Sequence, residues 1–130
     1  MKIFGIGTDI VNIKRIEKLL KKKGDLFKNR IFTKKEIKYC EAKKNSFHSY
    51  AKRFAAKEAV SKAFGTGIKK KVTFKNIEIY NDSNGKPFVK LNSSTSKFLK
   101  KKLKNKKYSI FLSLSDDLPW AQATVIISYN

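Results

Sequence analysis

The chain has 130 residues, is 41% hydrophobic, and carries 31 Lys and Arg against 10 Asp and Glu, a formal net charge of +21. That length suits one domain, residues 1–130, with its own core, and 10 Phe, 5 Tyr and 1 Trp exclude wholesale disorder. Cys40 is alone, which excludes an internal disulfide and suits a reducing compartment.

Residues 3–11, "IFGIGTDIV", alternate with a period of two and predict a strand, with Phe4, Ile6, Thr8 and Ile10 on one face and Ile3, Gly5, Gly7 and Asp9 on the other. Gly5, Gly7 and Asp9 break this stretch too early for a secretory leader or a membrane span, and no later stretch is long enough to span. A cytoplasmic protein with no membrane partner is expected. A helix follows from Asn12 as N-cap, with Ile13, Ile16, Leu19 and Leu20 as its stripe and Gly24 as its stop. Thr33 and Glu36 have capping-box spacing at the head of another helix. "SYAKRFAAKEAVSKAF" is the strongest helix, rich in Ala and closed by Gly65.

In the second half, "FKNIEIYND", the turn "NDSNGKP" and "FVKLN" read as a hairpin, and "SSTSKFLKKKLKNKK" as a capped basic helix. "YSIFLSLS" and "AQATVIIS" are strands joined by "DDLPW". The expected fold class is α+β: a single domain with a mostly antiparallel sheet packed against a long central helix.

The positive charge calls for an anionic partner. Arg occurs only at 15, 30 and 53, and nucleic-acid readers favour Arg for bidentate contacts. Lys here accompanies abundant Asn, Ile and Phe, the signature of A+T-rich codons, so much of the charge reads as solvated surface. A non-catalytic RNA- or DNA-binding module is the rival reading. Against it, aromatic residues are not interleaved with the lysine runs except at Phe98, and no specific nucleic-acid motif is present.

Two acids raise the question of a site. Glu58 and Lys62 lie one turn apart on the central helix, about 40° around its axis. They fall at the edge of a packing face of alanines, away from a polar side that carries Arg53 and Lys57. One reading is an ordinary i, i+4 ion pair; the other is a site, since the alanines permit close approach by another element or a ligand. Asp9 interrupts an apolar strand, where a carboxylate needs a hydrogen bond, a cation or a metal. It reads either as a cap for the following helix or as half of a hard-oxygen site, with open space beside Gly5 and Gly7. If Asp9 and Glu58 converge, the pair suits Mg²⁺ completed by phosphate oxygens and water, and Lys62 becomes a phosphate-facing point charge. Gly65 and Gly67 offer backbone N–H groups to an anion, although a helix stop explains Gly65 equally. His48, the only histidine, is given no role, and Cys40 is read as packing.

"GIGTDIVNIKRI" at 5–16, "KRFAAKEAVSKAFGTGI" at 52–68, "NGKP" at 84–87 and "AQATVII" at 121–127 together resemble the bacterial holo-[acyl-carrier-protein] synthase family of small 4′-phosphopantetheinyl transferases. The resemblance implies transfer of 4′-phosphopantetheine from coenzyme A to a serine of apo-acyl carrier protein, in support of fatty acid biosynthesis, with release of adenosine 3′,5′-bisphosphate. It implies Mg²⁺ held by Asp9 and Glu58, and catalytic roles for Glu58 and Lys62. It places coenzyme A against Lys62, Gly65, Gly67, Gly85, Lys86, Pro87 and Asp116. Because acyl carrier proteins are strongly acidic, the cationic helix with Lys14, Arg15 and Lys18 is the expected docking face, of which Arg15 matches the family pattern. Homotrimers with sites between subunits are typical of the family. Asp116 stands where many members have histidine, which leaves Glu58 as the base and Asp116 facing the metal, a lysine or a nucleotide donor.

Overall fold

The computed structural model describes residues 1–130. Strand β1 (Lys2–Asn12) leads into helix α1 (Ile13–Lys23), capped by the Asn12 side chain on the Lys14 N–H at 2.9 Å. Gly24 closes α1 and also begins α2 (Asp25–Ile31), a short helix not anticipated from the sequence. Helix α3 (Lys34–Glu41) carries the expected capping box between Thr33 and Glu36. Helix α4 (Ser46–Phe64) is the 19-residue centre of the molecule and stops at Gly65, whose φ of 80° is left-handed. A single 3₁₀ turn, Phe74–Asn76, then precedes strands β2 (Ile77–Asn81) and β3 (Pro87–Leu91). Helix α5 (Ser93–Lys102) is followed by β4 (Tyr108–Asp117) and β5 (Trp120–Tyr129). Helix α5 ends five residues sooner than expected, because Lys104 and Asn105 turn left-handed at φ of 52° and 62°.

All strand pairings are antiparallel, but they form two sheets: a three-stranded one in the order β1-β5-β4 and the separate hairpin β2-β3. One face of the larger sheet packs on α4 through Val11, Ala121, Ala123, Val125 and Ile127, all buried. The other face is open, with Ile6, Ile10 and Phe111 exposed. A register shift between Ile3 and Gly5 half-buries Phe4 while the outward residues from Ile6 onward keep the expected alternation.

Helix α4 is not solvated where Arg53 and Lys57 project. Arg53 is 2% exposed and Lys57 fully buried, which corrects their assignment to a solvated face. Lys57 Nζ lies 2.7 Å from Glu36 Oε1 and donates to the carbonyls of Phe74 and Ile77 at 2.7 and 2.6 Å. Glu36 Oε2 in turn accepts the Ile79 N–H at 2.8 Å. Three acceptors around the ammonium offset only part of its desolvation, so burial still holds Lys57 below the ordinary lysine range, and the pair locks α3, α4 and β2 together.

Candidate functional site

The site begins with a contact between backbones. A Cβ on Gly7 would stand 1.8 Å from the Ala59 carbonyl oxygen, and one on Gly5 would stand 1.9 Å from that of Ala63. The space expected beside these glycines is therefore filled by α4, because Ala59 and Ala63 have too little bulk to hold the helix off. This approach draws Asp9 of β1 to the C-terminal half of α4.

Lys62 Nζ donates to Thr8 O and to Asp9 Oδ1, each at 3.0 Å. Its ion pair is with Asp9, and none joins it to Glu58, so the i, i+4 pairing does not hold. Asp9 is not a helix cap either, since the strand runs on to Asn12 and Asn12 caps α1. The Glu58 carboxyl is pushed above its ordinary range, first by burial and then by the charge of Asp9, against the opposing pull of Lys62 and Arg15. Both causes penalise the ionised form. Two carboxylates and one ammonium thus share a small region, and the acids supply hard oxygen donors that would hold a divalent cation. No cluster of three or more His, Cys, Asp or Glu occurs, so a cation at Asp9 and Glu58 would take its remaining oxygens from a ligand and water.

The turn beyond Lys62 has open space but no free glycine N–H for an anion, which corrects the role expected of Gly65 and Gly67. Gly65 donates its N–H to Lys62 O at 2.9 Å and Gly67 donates its N–H to Ser61 O at 3.1 Å, Gly67 has φ of 67°, and no atom lies within 4 Å of where either Cβ would be. At the β2-β3 tip, Asp82 Oδ1 accepts the N–H groups of Asn84 and Lys86 at 2.9 Å, and Gly85 adopts φ of 85° with open space around it. The Arg53 guanidinium, stacked on Tyr39 with its carbon 3.9 Å from the ring centroid, donates to Asn81 Oδ1. The Asn81 amide donates to Gly85 O at 2.9 Å, while Arg53 Nε is buried without a partner.

Arg53 and Lys62 lie about 180° apart around α4. The chain therefore unites Asp9, Glu58, Lys62, Gly65 and Gly67, but holds Gly85, Lys86 and Pro87 through the opposite side of the helix. Asp116 also stands apart, on β4, two strands from Asp9. It faces a lysine and a histidine: His48 Nδ1 is 3.0 Å from Oδ2 and Lys52 Nζ 3.3 Å from Oδ1. The hydrogen bond from His48, then Lys52, holds the Asp116 carboxyl below its usual range. His48 and Arg53 were missed because their partners lie 68 and 28 residues away.

Lys14, Arg15 and Lys18 are exposed on α1, as expected. Beside them lies an apolar groove of about 340 Å³ lined by Leu19, Leu26, Phe27 and Phe54, with Lys23 and Arg30 at its rim. Leu26 is 71% exposed there, and only the unanticipated α2 brings it into place. Burial pushes the Cys40 thiol up to about 12, consistent with a packing role. No helix is long and apolar enough to cross a membrane.

The chain is 52% identical over 125 residues to the holo-[acyl-carrier-protein] synthase of Blochmanniella pennsylvanica, covering 96% of this chain and 98% of that protein. Among solved structures, the crystal structure of holo-[acyl-carrier-protein] synthase from Neisseria meningitidis superposes with a TM-score of 0.87 at 42% identity, over 97% of this chain and 98% of that one. The Helicobacter pylori holo-[acyl-carrier-protein] synthase, solved in complex with coenzyme A, gives a TM-score of 0.83 at 36% identity, over 95% of this chain and 99% of that one. Residues 5–122 match the family model described as the 4′-phosphopantetheinyl transferase superfamily. The chain belongs to that superfamily and, within it, to the holo-[acyl-carrier-protein] synthases.

Proposed function

We propose that this protein is a single-domain, cytoplasmic holo-[acyl-carrier-protein] synthase that transfers 4′-phosphopantetheine from coenzyme A to a serine of apo-acyl carrier protein for fatty acid biosynthesis. The observation that carries this reading is the glycine–alanine contact that seats Asp9 beside Glu58 and Lys62. In the transfer, the serine oxygen attacks the β-phosphorus of the pyrophosphate, the bond to the α-phosphate oxygen breaks, and adenosine 3′,5′-bisphosphate departs with the electron pair. Such a reaction needs positioning and charge neutralisation more than covalent help.

Glu58, held toward the protonated form by burial and by Asp9, is suited to take the serine proton, directly or through a water. Lys62 supplies a positive charge to the departing phosphate, and the open Gly65 and Gly67 backbone leaves room for it. Asp9 and Glu58 would hold Mg²⁺, whose chemistry is to neutralise the pyrophosphate and stabilise the leaving group. Gly85, Lys86, Pro87 and Asp116, which lie away from Asp9 in one chain, serve the nucleotide in a neighbouring copy's site. A homotrimer accounts for that separation and for the exposed Ile6, Ile10 and Phe111 on the open sheet face. The carrier docks on Lys14, Arg15 and Lys18, with an apolar side chain in the adjoining groove.

Mixing the protein with apo-carrier, coenzyme A and Mg²⁺ should add the mass of one phosphopantetheine to the carrier. Asp9→Ala and Glu58→Ala should each abolish that gain while circular dichroism stays unchanged. Wild-type turnover in both variants would refute the assignment.

A further inference from the structure

A groove between the loop after α4 and helix α5 takes no part in the site above. Lys69, Lys70 and Lys71 form one wall and Lys97, Lys101 and Lys102 the other. Two cavities of about 520 and 530 Å³ share Lys71 and Phe98 and so form one trough. No acidic residue lines it, and none of the six lysines has an ion pair within the chain.

The trough is built rather than a chance of loose side chains. The Thr95 hydroxyl donates to Lys71 O, which fastens the loop to α5. Lys69 and Val72 exchange backbone hydrogen bonds at 3.0 and 2.9 Å, which fixes the turn that presents the first wall. Phe98, at the floor, stacks on Phe64, the last residue of α4, with ring centroids 6.3 Å apart. Two rows of like charge held this way repel each other, and a partner with carboxylates on both flanks relieves that repulsion.

Nucleic acid fits less well. The groove has no arginine for bidentate contacts, and its single aromatic ring is already engaged by Phe64 and by Lys102 Nζ at 5.1 Å. The unpaired lysines call for an acidic partner, and the transferase reading supplies one acidic protein, the carrier.

We infer that the groove between residues 66–72 and α5 is a second docking surface for an acidic segment of the carrier protein, additional to α1. This rests on the transferase reading above. The test is steady-state kinetics with apo-carrier varied at saturating coenzyme A, comparing wild type with Lys97→Glu/Lys101→Glu and with Lys44→Ala as an exposed control outside the groove. The double variant should raise KM for the carrier about tenfold and flatten its salt dependence, with KM for coenzyme A unchanged. A carrier KM within about twofold of wild type overturns the inference, as does a rise in the coenzyme A KM instead, since a difference that small lies within ordinary surface-charge effects. So does a variant that loses affinity for a short single-stranded RNA while its carrier KM holds. Should the wild-type protein transfer nothing, the transferase reading is what fails, and calorimetric titration of apo-carrier into wild type and the double variant still decides the groove: equal affinities overturn it.

Discussion

The Lys62 ammonium sits 3.0 Å from Asp9 Oδ1, across from a residue 53 positions earlier, although Glu58 lies one turn away on its own helix. Glu58 is left with a carboxyl raised by burial and by Asp9, and with no ion-pair partner of its own. Lys62 thus neutralises the acid that a divalent cation would need. Replacing it with alanine should tighten Mg²⁺ binding in the absence of coenzyme A, read by calorimetry, while turnover falls about 10²-fold or more. Unchanged cation affinity would show that Lys62 and the cation do not compete for Asp9.

Gly7→Ala is the sharpest test of the contact that assembles the site. The added carbon meets a helix carbonyl at 1.8 Å, and a backbone cannot swing aside as a side chain can. Urea denaturation should show a loss of about 3 kcal/mol or more, at the upper end of overpacking costs. Any folded remainder should transfer poorly, because Asp9 is displaced from α4.

The pH dependence separates two acids of opposite sign. The folded state raises the Glu58 carboxyl, so its contribution to stability is present below the unfolded value of about 4.5 and is lost as pH rises through the folded value. Glu58→Gln should therefore raise the neutral-pH melting temperature of the metal-free protein and lose that advantage in acid. Asp116 is lowered, so its contribution is present above the unfolded value of about 3.8 and is lost as pH falls through the folded one. Asp116→Asn should lower the melting temperature at neutral pH and converge with wild type in acid. Melting curves of both variants between acid and neutral pH read the two signs directly.

The buried Glu36–Lys57 pair should be costly to break from one side. Lys57→Met leaves a buried carboxylate without its cation and should cost about 3–5 kcal/mol. Adding Glu36→Gln to Lys57→Met should recover part of that loss, and a double-mutant cycle in urea measures the coupling. A strictly additive cycle would show that the two residues act independently.

The open sheet face gives a prediction about assembly. Phe111 is 53% exposed and stands opposite Ile126 in the register. Phe111→Glu should turn a trimer into a monomer in sedimentation and lower transfer with it. A wild-type protein that sediments as a monomer would refute the shared-site arrangement.

Much of this was legible from local pattern. The alternation of β1, the Asn12 cap, the Thr33–Glu36 capping box, the Gly65 stop and the hairpin tip all depend on residues within a few positions of one another. What failed was set by distant partners. Arg53 and Lys57 looked like a solvated face because charge normally signals water, yet Tyr39, Asn81 and Glu36 fold over them. Helix α2 was hidden because Gly24 reads as a stop and provides no side-chain cap for a new start. Gly5 and Gly7 were read as emptiness, when the absence of Cβ was what admitted the helix. Asp9 and Glu58 were named from residue type and family resemblance, whereas the bond from Lys62 to Asp9 depends on how β1 and α4 cross.

Through Arg53 and Asn81, α4 also grips the glycine tip of the hairpin, while its other flank carries Glu58 and Lys62. The angle between those two loads is fixed within one rigid rod, out of reach of loop motion. In a ring of identical copies, the fit of one copy's acids to the next copy's tip would then depend on how the rods dock against each other. Changes at the seams would retune turnover while every reacting residue stayed the same.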